Sequence, residues 1–206
     1  MNEKEVKVIL LGNSGVGKTS LINVCLDANY RVDSNSNNIP TISGYYIQKL
    51  IECEGKKYIL DLWDTAGQEA YLGITKLFFK GSEIIIFVYD ISAINSYNDL
   101  NKWIDMTEEI IDNKHVCAIV GNKNDLYLNA EITEEEAKKF AESKNCLFKL
   151  VSAKTDPKGF NEFLEELVKE YKDKLDNPKN KSRKSIKLEP IPDIQQNEQN
   201  KKKCCS

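Results

Sequence analysis

Residues 12–19 read GNSGVGKT and follow directly on the apolar run VKVILL at 6–11. The spacing is Gly-x-x-x-x-Gly-Lys-Thr, the pattern of a loop that cradles phosphate. Its glycines let successive backbone N–H groups converge on an anion with no Cβ in the way. Lys18 can reach terminal phosphates as a point charge, and the Thr19 hydroxyl can ligate the Mg²⁺ that accompanies them. The flanks agree. A strand is expected over 6–11, and the helical pattern KTSLINVCLDA over 18–28 aims a helix N-terminus at the same point. A ligand with phosphates is expected here, and its identity depends on the rest of the chain.

Working outward, further apolar runs fall at 58–63 (YILDLW), 84–89 (IIIFVY), 116–121 (VCAIVG) and 146–151 (CLFKLV). Continuous runs of this kind suit parallel strands buried on both faces. The stretch YYIQKLIEC at 45–53 alternates more loosely, as an edge strand would, and the turn EGKK joins it to its neighbour. Helical patterns lie between the strands at 18–28, 93–112, 133–144 and 157–174. Thr133 with Glu136 forms a capping box, and Phe160, Phe163, Leu164 and Leu167 repeat at helical spacing. Strand and helix alternate throughout. The fold class predicted is therefore α/β, a mostly parallel six-stranded sheet with helices on both faces.

The 206 residues suit one domain, expected over 1–175, with an appendage over 176–206. The appendage has no aromatic residue, three prolines and many Asn, Gln and Lys, the composition of a disordered tether. It carries eight Lys or Arg against four Asp or Glu, whereas 1–175 carries 21 against 28. An acidic body with a basic tail argues against nucleic-acid binding and points to an anionic surface as the tail's target. The start, MNEKEVK, lacks the apolar core of a signal peptide, and Asn2 excludes N-myristoylation, so a cytosolic start is expected. Six cysteines fit that reducing compartment. Cys25, Cys53, Cys117 and Cys146 are expected as scattered, small, buried hydrophobes, whereas Cys204 and Cys205 sit side by side next to the last residue. The single histidine, His115, is expected at the surface near a strand start, and no serine nucleophile motif accompanies it.

Three more strings bear on the ligand. WDTAGQE at 63–69 ends a strand and places Asp64 to hold Mg²⁺ in the Walker-B manner. GNKND at 121–125 ends another strand, and VSAK at 151–154 ends the next. Ligands of open α/β sheets bind outside the carboxyl ends of the strands, so these strings converge on one crevice. The Asp125 carboxylate can accept from the N1–H and exocyclic amine of guanine, a donor pair that adenine lacks. Asn122 and the Ala153 N–H can serve the ring nitrogen and O6, and the stems of Lys123 and Lys154 can sandwich the base.

With these strings in this order, the sequence resembles the small GTPases of the Ras superfamily, and within it the Rab family most closely. The resemblance covers 5–175 and, independently, the last residues; FFKGSEIIIFVYDIS at 78–92 and SYNDLNKW at 96–103 also resemble Rab segments. It implies a P-loop G domain in which Ser14, Gly15, Val16, Gly17, Lys18, Thr19 and Ser20 hold phosphates. It further implies that Tyr30 packs edge-on against guanine, with Asn122, Lys123, Asp125, Ser152, Ala153 and Lys154 around the base. Thr41 would close switch I onto Mg²⁺ and the γ-phosphate, making Thr19, Thr41 and Asp64 the metal set. Gly67 would donate its N–H to the γ-phosphate, and Gln68 would orient the attacking water, with Thr41 and Lys18 completing the catalytic group. Asp64 or Asn122 alone fits a turn former, and Tyr30 alone a core aromatic; only the joint pattern overrides those meanings.

The same resemblance implies an effector surface of Ile42, Tyr46, Trp63 and Phe78, and the partners of a membrane switch in vesicle and protein transport. These are an exchange factor, a GTPase-activating protein, a GDP-dissociation inhibitor or prenylation escort, and effectors, with no nucleic acid. The ending KKKCCS resembles a double geranylgeranylation signal on Cys204 and Cys205, placing the protein on the cytoplasmic face of an intracellular membrane with a carrier-bound cytosolic pool. There are departures. Thr41 lies 23 residues after Lys18, about four more than the family's usual spacing, TISGYY replaces the usual switch I sequence, and AY follows WDTAGQE where Arg-Phe is usual. Two rivals stay open at this point. A GTP-binding scaffold without hydrolysis is opposed by Gln68 and Thr41, and an ATP-using kinase or ATPase is opposed by NKND with SAK.

Overall fold

The computed structural model describes residues 3–26, 45–64, 79–108 and 115–177. Six strands form one sheet: β1 (Glu3–Leu11), β2 (Tyr45–Cys53), β3 (Lys56–Asp64), β4 (Ile84–Asp90), β5 (Val116–Asn122) and β6 (Leu147–Leu150). Their order is β2-β3-β1-β4-β5-β6, with only β2 antiparallel to its neighbour. Both residues of the Glu54-Gly55 turn have positive φ, 49° and 75°, which matches the twist of a tight hairpin and fixes the β2–β3 register. β1 connects toward one edge of the sheet and β4 toward the other. The crevice beyond their carboxyl ends is therefore the topological switch point.

The continuous apolar runs are buried on both faces, as their sequences predict. Val6, Val8 and Leu10 of β1 with Ile84, Ile86 and Val88 of β4 face one core, whereas Ile9, Leu11, Ile85 and Phe87 face the other. The first core is closed by α1 (Lys18–Leu26) and α5 (Pro157–Asp176), through Leu21, Ile22, Phe160, Phe163, Leu164 and Leu167. The second is closed by α2 (Ile94–Asn98), α3 (Leu100–Glu108) and α4 (Glu134–Ser143), through Trp103, Ile104, Ala137 and Ala141. Each fully buried Leu, Ile or Phe contributes about 1.5–3 kcal/mol relative to exposure, so the two layers fix the sheet's position. Helix ends follow local chemistry. Thr133 Oγ1 accepts from the Glu136 N–H, and the Asp156 carboxylate accepts from the Gly159 N–H with Pro157 beginning α5.

Several expectations change. The single helix expected over 93–112 is two, α2 and α3, interrupted at Asp99, although the Asp99 and Trp103 N–H groups still bond four residues back. A 3-10 helix, Asn124–Asn129, follows β5 where sequence patterning gave no element. The cysteines are not simply scattered. Cys25 is buried, but Cys117 and Cys146 are half-buried neighbours across β5 and the start of β6. His115 does stand just before β5, half-buried rather than at the surface.

Candidate nucleotide-binding site

β1 ends at Leu11 and hands the chain to Gly12, whose φ of 146° no side chain tolerates easily. A Cβ there would lie 2.1 Å from the Val88 carbonyl oxygen, so the loop leaves β1 pressed against β4. At Gly17, with φ 96°, a Cβ would lie 2.3 Å from the Asn122 amide nitrogen. Ser14 and Gly15 form the exposed outer part of the loop, while Val16 is buried beneath it. The α1 N-terminus at Lys18 rises directly from this turn, as the phosphate-loop pattern requires.

Lys18 is buried, and its Nζ donates to the carbonyls of Gly12 at 2.7 Å and Asn13 at 2.9 Å. Burial pulls its pKa down to about 8, and the Asp64 charge opposes that shift. A desolvated cation whose Nζ donates to two carbonyls is primed for an anionic partner. Thr19 Oγ1 donates to Asp64 Oδ2 at 2.6 Å, and Asp64 is fully buried at the end of β3. A hydroxyl and a carboxylate beside a phosphate loop are hard oxygen donors of the kind Mg²⁺ takes, alongside phosphate and water. These residues fit that ion.

On the other side of the crevice, the buried Asn122 side chain works as a clasp. Its Nδ2 donates to the Val16 carbonyl at 2.8 Å, and its Oδ1 accepts from the Ala153 N–H at 3.2 Å. Asn122 and Ala153, the residues expected to serve the ring nitrogen and O6, here join each other and the phosphate loop through these amide groups. A buried amide is satisfied by whatever lies within reach, and here that is backbone. Lys123 has a left-handed backbone, φ 63°, and its Nζ pairs with Asp90 Oδ2 at 2.6 Å. Burial raises the Asp90 pKa, but hydrogen bonds from Lys123 and Ser92 outweigh it and hold the carboxyl below its usual range. Ser152 Oγ donates to Asp125 Oδ1 at 2.5 Å and accepts from the Lys154 and Thr155 N–H groups. The two strings at the ends of β5 and β6 are thereby locked together, with Lys154 exposed.

One brace was missed in the sequence. Asn13 Nδ2 donates to Asp99 Oδ2 at 2.6 Å, and Asn13 Oδ1 accepts from Trp103 Nε1 at 2.9 Å. The phosphate loop is thus tied to α3 and to the break before it. A large buried indole needs an acceptor for its N–H, which is the one signal that pointed here. Of the expected effector surface, Tyr46 and Trp63 stack at 5.0 Å between centroids, with Lys7 Nζ 4.9 Å from the Trp63 ring. Tyr46 is half exposed on the edge strand. Tyr30, Thr41, Ile42, Gly67, Gln68, Phe78, Cys204 and Cys205 lie outside the described residues.

The family model described as "Ras family" matches residues 7–173, which run from within β1 to the body of α5. The chain belongs to the Ras family. It is 34% identical over 204 residues to Ras-related protein Rab-17 of Mus musculus, covering 97% of this chain and 90% of that one. It is 37% identical over 151 residues to Ras-related protein Rab-31 of Rattus norvegicus, covering 73% and 75% of the two chains. Against Ras-related protein Rab-30 of Homo sapiens it is 33% identical over 148 residues, covering 72% and 71%. This Rab-like small GTPase is an enzyme that hydrolyses GTP and takes part in vesicle trafficking. Among the described residues, no helix is long and apolar enough to cross a membrane.

Proposed function

We propose that residues 14–20 hold the phosphates of GTP and GDP, that Asp125 reads guanine, and that Asn122, Lys123, Ser152, Ala153 and Lys154 frame the base. The observation that carries this is the Ser152–Asp125 hydrogen bond, which fixes the carboxylate at the β5 end of the crevice that the phosphate loop also enters. A carboxylate has about four lone-pair sites, so Asp125 can still accept from both guanine donors after taking the serine hydroxyl. An amide carries two N–H donors, so Asn122 can offer its second to a ring nitrogen without releasing Val16. Tyr30 would pack at the edge of the base.

Lys18 would turn from the Gly12 and Asn13 carbonyls to the β- and γ-phosphates, regaining the charge stabilisation that burial removes. Mg²⁺, when bound, would neutralise charge on the same phosphates, held by Thr19, Thr41 and Asp64. Gly67 would donate to the γ-phosphate, and Gln68 would orient the attacking water. Closure of Thr41 and Gly67 over the γ-phosphate would order the switches for an effector at Ile42, Tyr46, Trp63 and Phe78, and hydrolysis would release them. No arginine of the nucleotide strings stands in for an arginine finger, so fast turnover would need an activating protein. An exchange factor would reload GTP. A dissociation inhibitor would carry the GDP form through the cytosol between visits to an intracellular membrane, where Cys204 and Cys205 would hold it by geranylgeranyl groups.

The test pairs a GTP-versus-ATP competition with single-turnover hydrolysis. Guanine nucleotides should win the competition, and Gln68→Leu should slow hydrolysis while leaving GTP affinity nearly unchanged. Equal binding of ATP would remove Asp125 from base recognition, and an unchanged rate would remove Gln68 from water positioning.

A further inference from the structure

At the far end of the sheet from the phosphate loop, β5 begins beside the residues that lead into β6. Ala118 pairs with Leu147 in parallel register, so Cys117 and Cys146 are the preceding neighbours. Both pack toward the core of Trp103, Ile104 and Ile119, the face opposite Leu147. Adjacent strands stand about 4.8 Å apart, within the Cα separation a disulfide spans. Cys146 Sγ donates to the Lys144 carbonyl at 3.5 Å, just before β6. Both sulfur-bearing residues line a cavity of about 360 Å³ with His115, Thr107, Lys144 and Lys174. Lys174 Nζ donates to the His115 carbonyl at 3.2 Å, which keeps α5 closed over this end of β5.

We propose that Cys117 and Cys146 form an oxidant-modifiable dithiol that takes hydrogen peroxide from this cavity, with Cys117 attacking and Cys146 resolving. The Cys117 thiolate attacks one peroxide oxygen, the O–O bond breaks, and hydroxide leaves, so sulfur becomes a sulfenic acid. The Cys146 sulfur then attacks Cys117 Sγ, and the S–S bond forms as the S–O bond breaks. The Cys146 proton and the departing hydroxyl leave as water, and the hydroxide released in the first step takes the proton that Cys117 gave up on ionising, so the dithiol loses two electrons and one peroxide becomes two waters. The order follows from the surroundings. The Cys146 thiol donates to the Lys144 carbonyl, a bond that its thiolate cannot make, and burial also holds its pKa up, whereas His115 and the Lys174 charge on the cavity wall favour thiolate at Cys117.

Trypsin separates the two sites as HVCAIVGNK, 115–123, and NCLFK, 145–149, and leaves Cys25, Cys53 and the tail pair on other peptides. The full-length folded protein, treated with hydrogen peroxide and mapped without reduction, should give these two peptides linked, minus two hydrogens, and separated again by dithiothreitol. In Cys146→Ser, Cys117 should stop as a sulfenic acid that dimedone captures. In Cys117→Ser, Cys146 should remain a thiol. The proposal is overturned if peroxide that oxidises Cys25, Cys53 or the tail leaves the pair reduced, or if the link appears only after unfolding in urea. Oxidation of Cys146 in Cys117→Ser at the wild-type rate overturns the order of attack. The wild-type peptide map decides the pairing even where a variant folds poorly.

Discussion

Gly12 and Gly17 answer to different neighbours within one loop. At Gly12 a Cβ meets rigid backbone of β4, whereas at Gly17 it meets the end of the Asn122 side chain. At Gly15 a Cβ meets nothing within 4 Å, so the strain of φ 81° alone, about 1–2 kcal/mol, opposes substitution. Thermal unfolding of the three alanine variants should therefore rank Gly12→Ala as most damaged, Gly17→Ala next and Gly15→Ala least. A Gly15→Ala protein that melts below Gly12→Ala would contradict this loop geometry. At the base, Asp125→Ala removes the partner of the Ser152 hydroxyl and, on the proposed reading, the acceptor for two guanine donors. Titration calorimetry with GDP should show a loss of roughly 1–3 kcal/mol or more. Wild-type affinity in that variant would mean the base is read elsewhere.

Between elements, the structure spends side-chain amides on backbone. Asn122 joins the turn into α1 to the loop after β6, and Asn13 joins the end of β1 to α3. In Asn122→Ala the Val16 carbonyl and the Ala153 N–H would lose their partners in a buried setting, at roughly 1–3 kcal/mol for each group left unsatisfied. Stability and GDP affinity should fall together, because the clasp positions both halves of the crevice. Thr133→Ala is the contrast. It removes only the cap of α4, on the flank of the sheet, and should cost about 1 kcal/mol of stability with GDP affinity unchanged. Denaturant melts run beside GDP titrations separate the two outcomes. Loss of GDP affinity in Thr133→Ala would show that α4 is coupled to the pocket.

For the whole molecule, charge divides the chain into an acidic body and a basic tail. Composition predicts the tail as a flexible coil, whose 30-odd residues would span about 30 Å. Lys201, Lys202 and Lys203 would each add roughly 1 kcal/mol against an anionic leaflet, and two lipid chains would make the attachment stable where one is marginal. Replacing both Cys204 and Cys205 with serine should move the protein to the cytosolic fraction of cells while GDP binding stays at the wild-type level. A single replacement should give weak or misplaced membrane association. Pelleting of the double variant with membranes would assign the attachment to a protein receptor instead of lipid.

The nucleotide strings and the α/β pattern were legible because each is a contiguous run whose chemistry is set within a few residues. Gly12 to Thr19 supplies a loop, a cation and a hydroxyl in eight positions, and the fully buried strand β4 announces itself as IIIFVY. The helix cap at Thr133 is equally local, since donor and acceptor lie three residues apart. What no run of sequence contains is which distant groups face each other. Asn122 reaches Val16 across 106 residues and Trp103 reaches Asn13 across 90. The break at Asp99 likewise sits beside an Asn13 contact that patterning on α3 cannot reveal. Cys117 and Cys146 look like unrelated small hydrophobes until the parallel β5–β6 register sets them side by side. Burial decides these pairings. A polar group sealed into the core must find a partner among the atoms the sheet register brings within reach, and only the assembled layers fix which atoms those are.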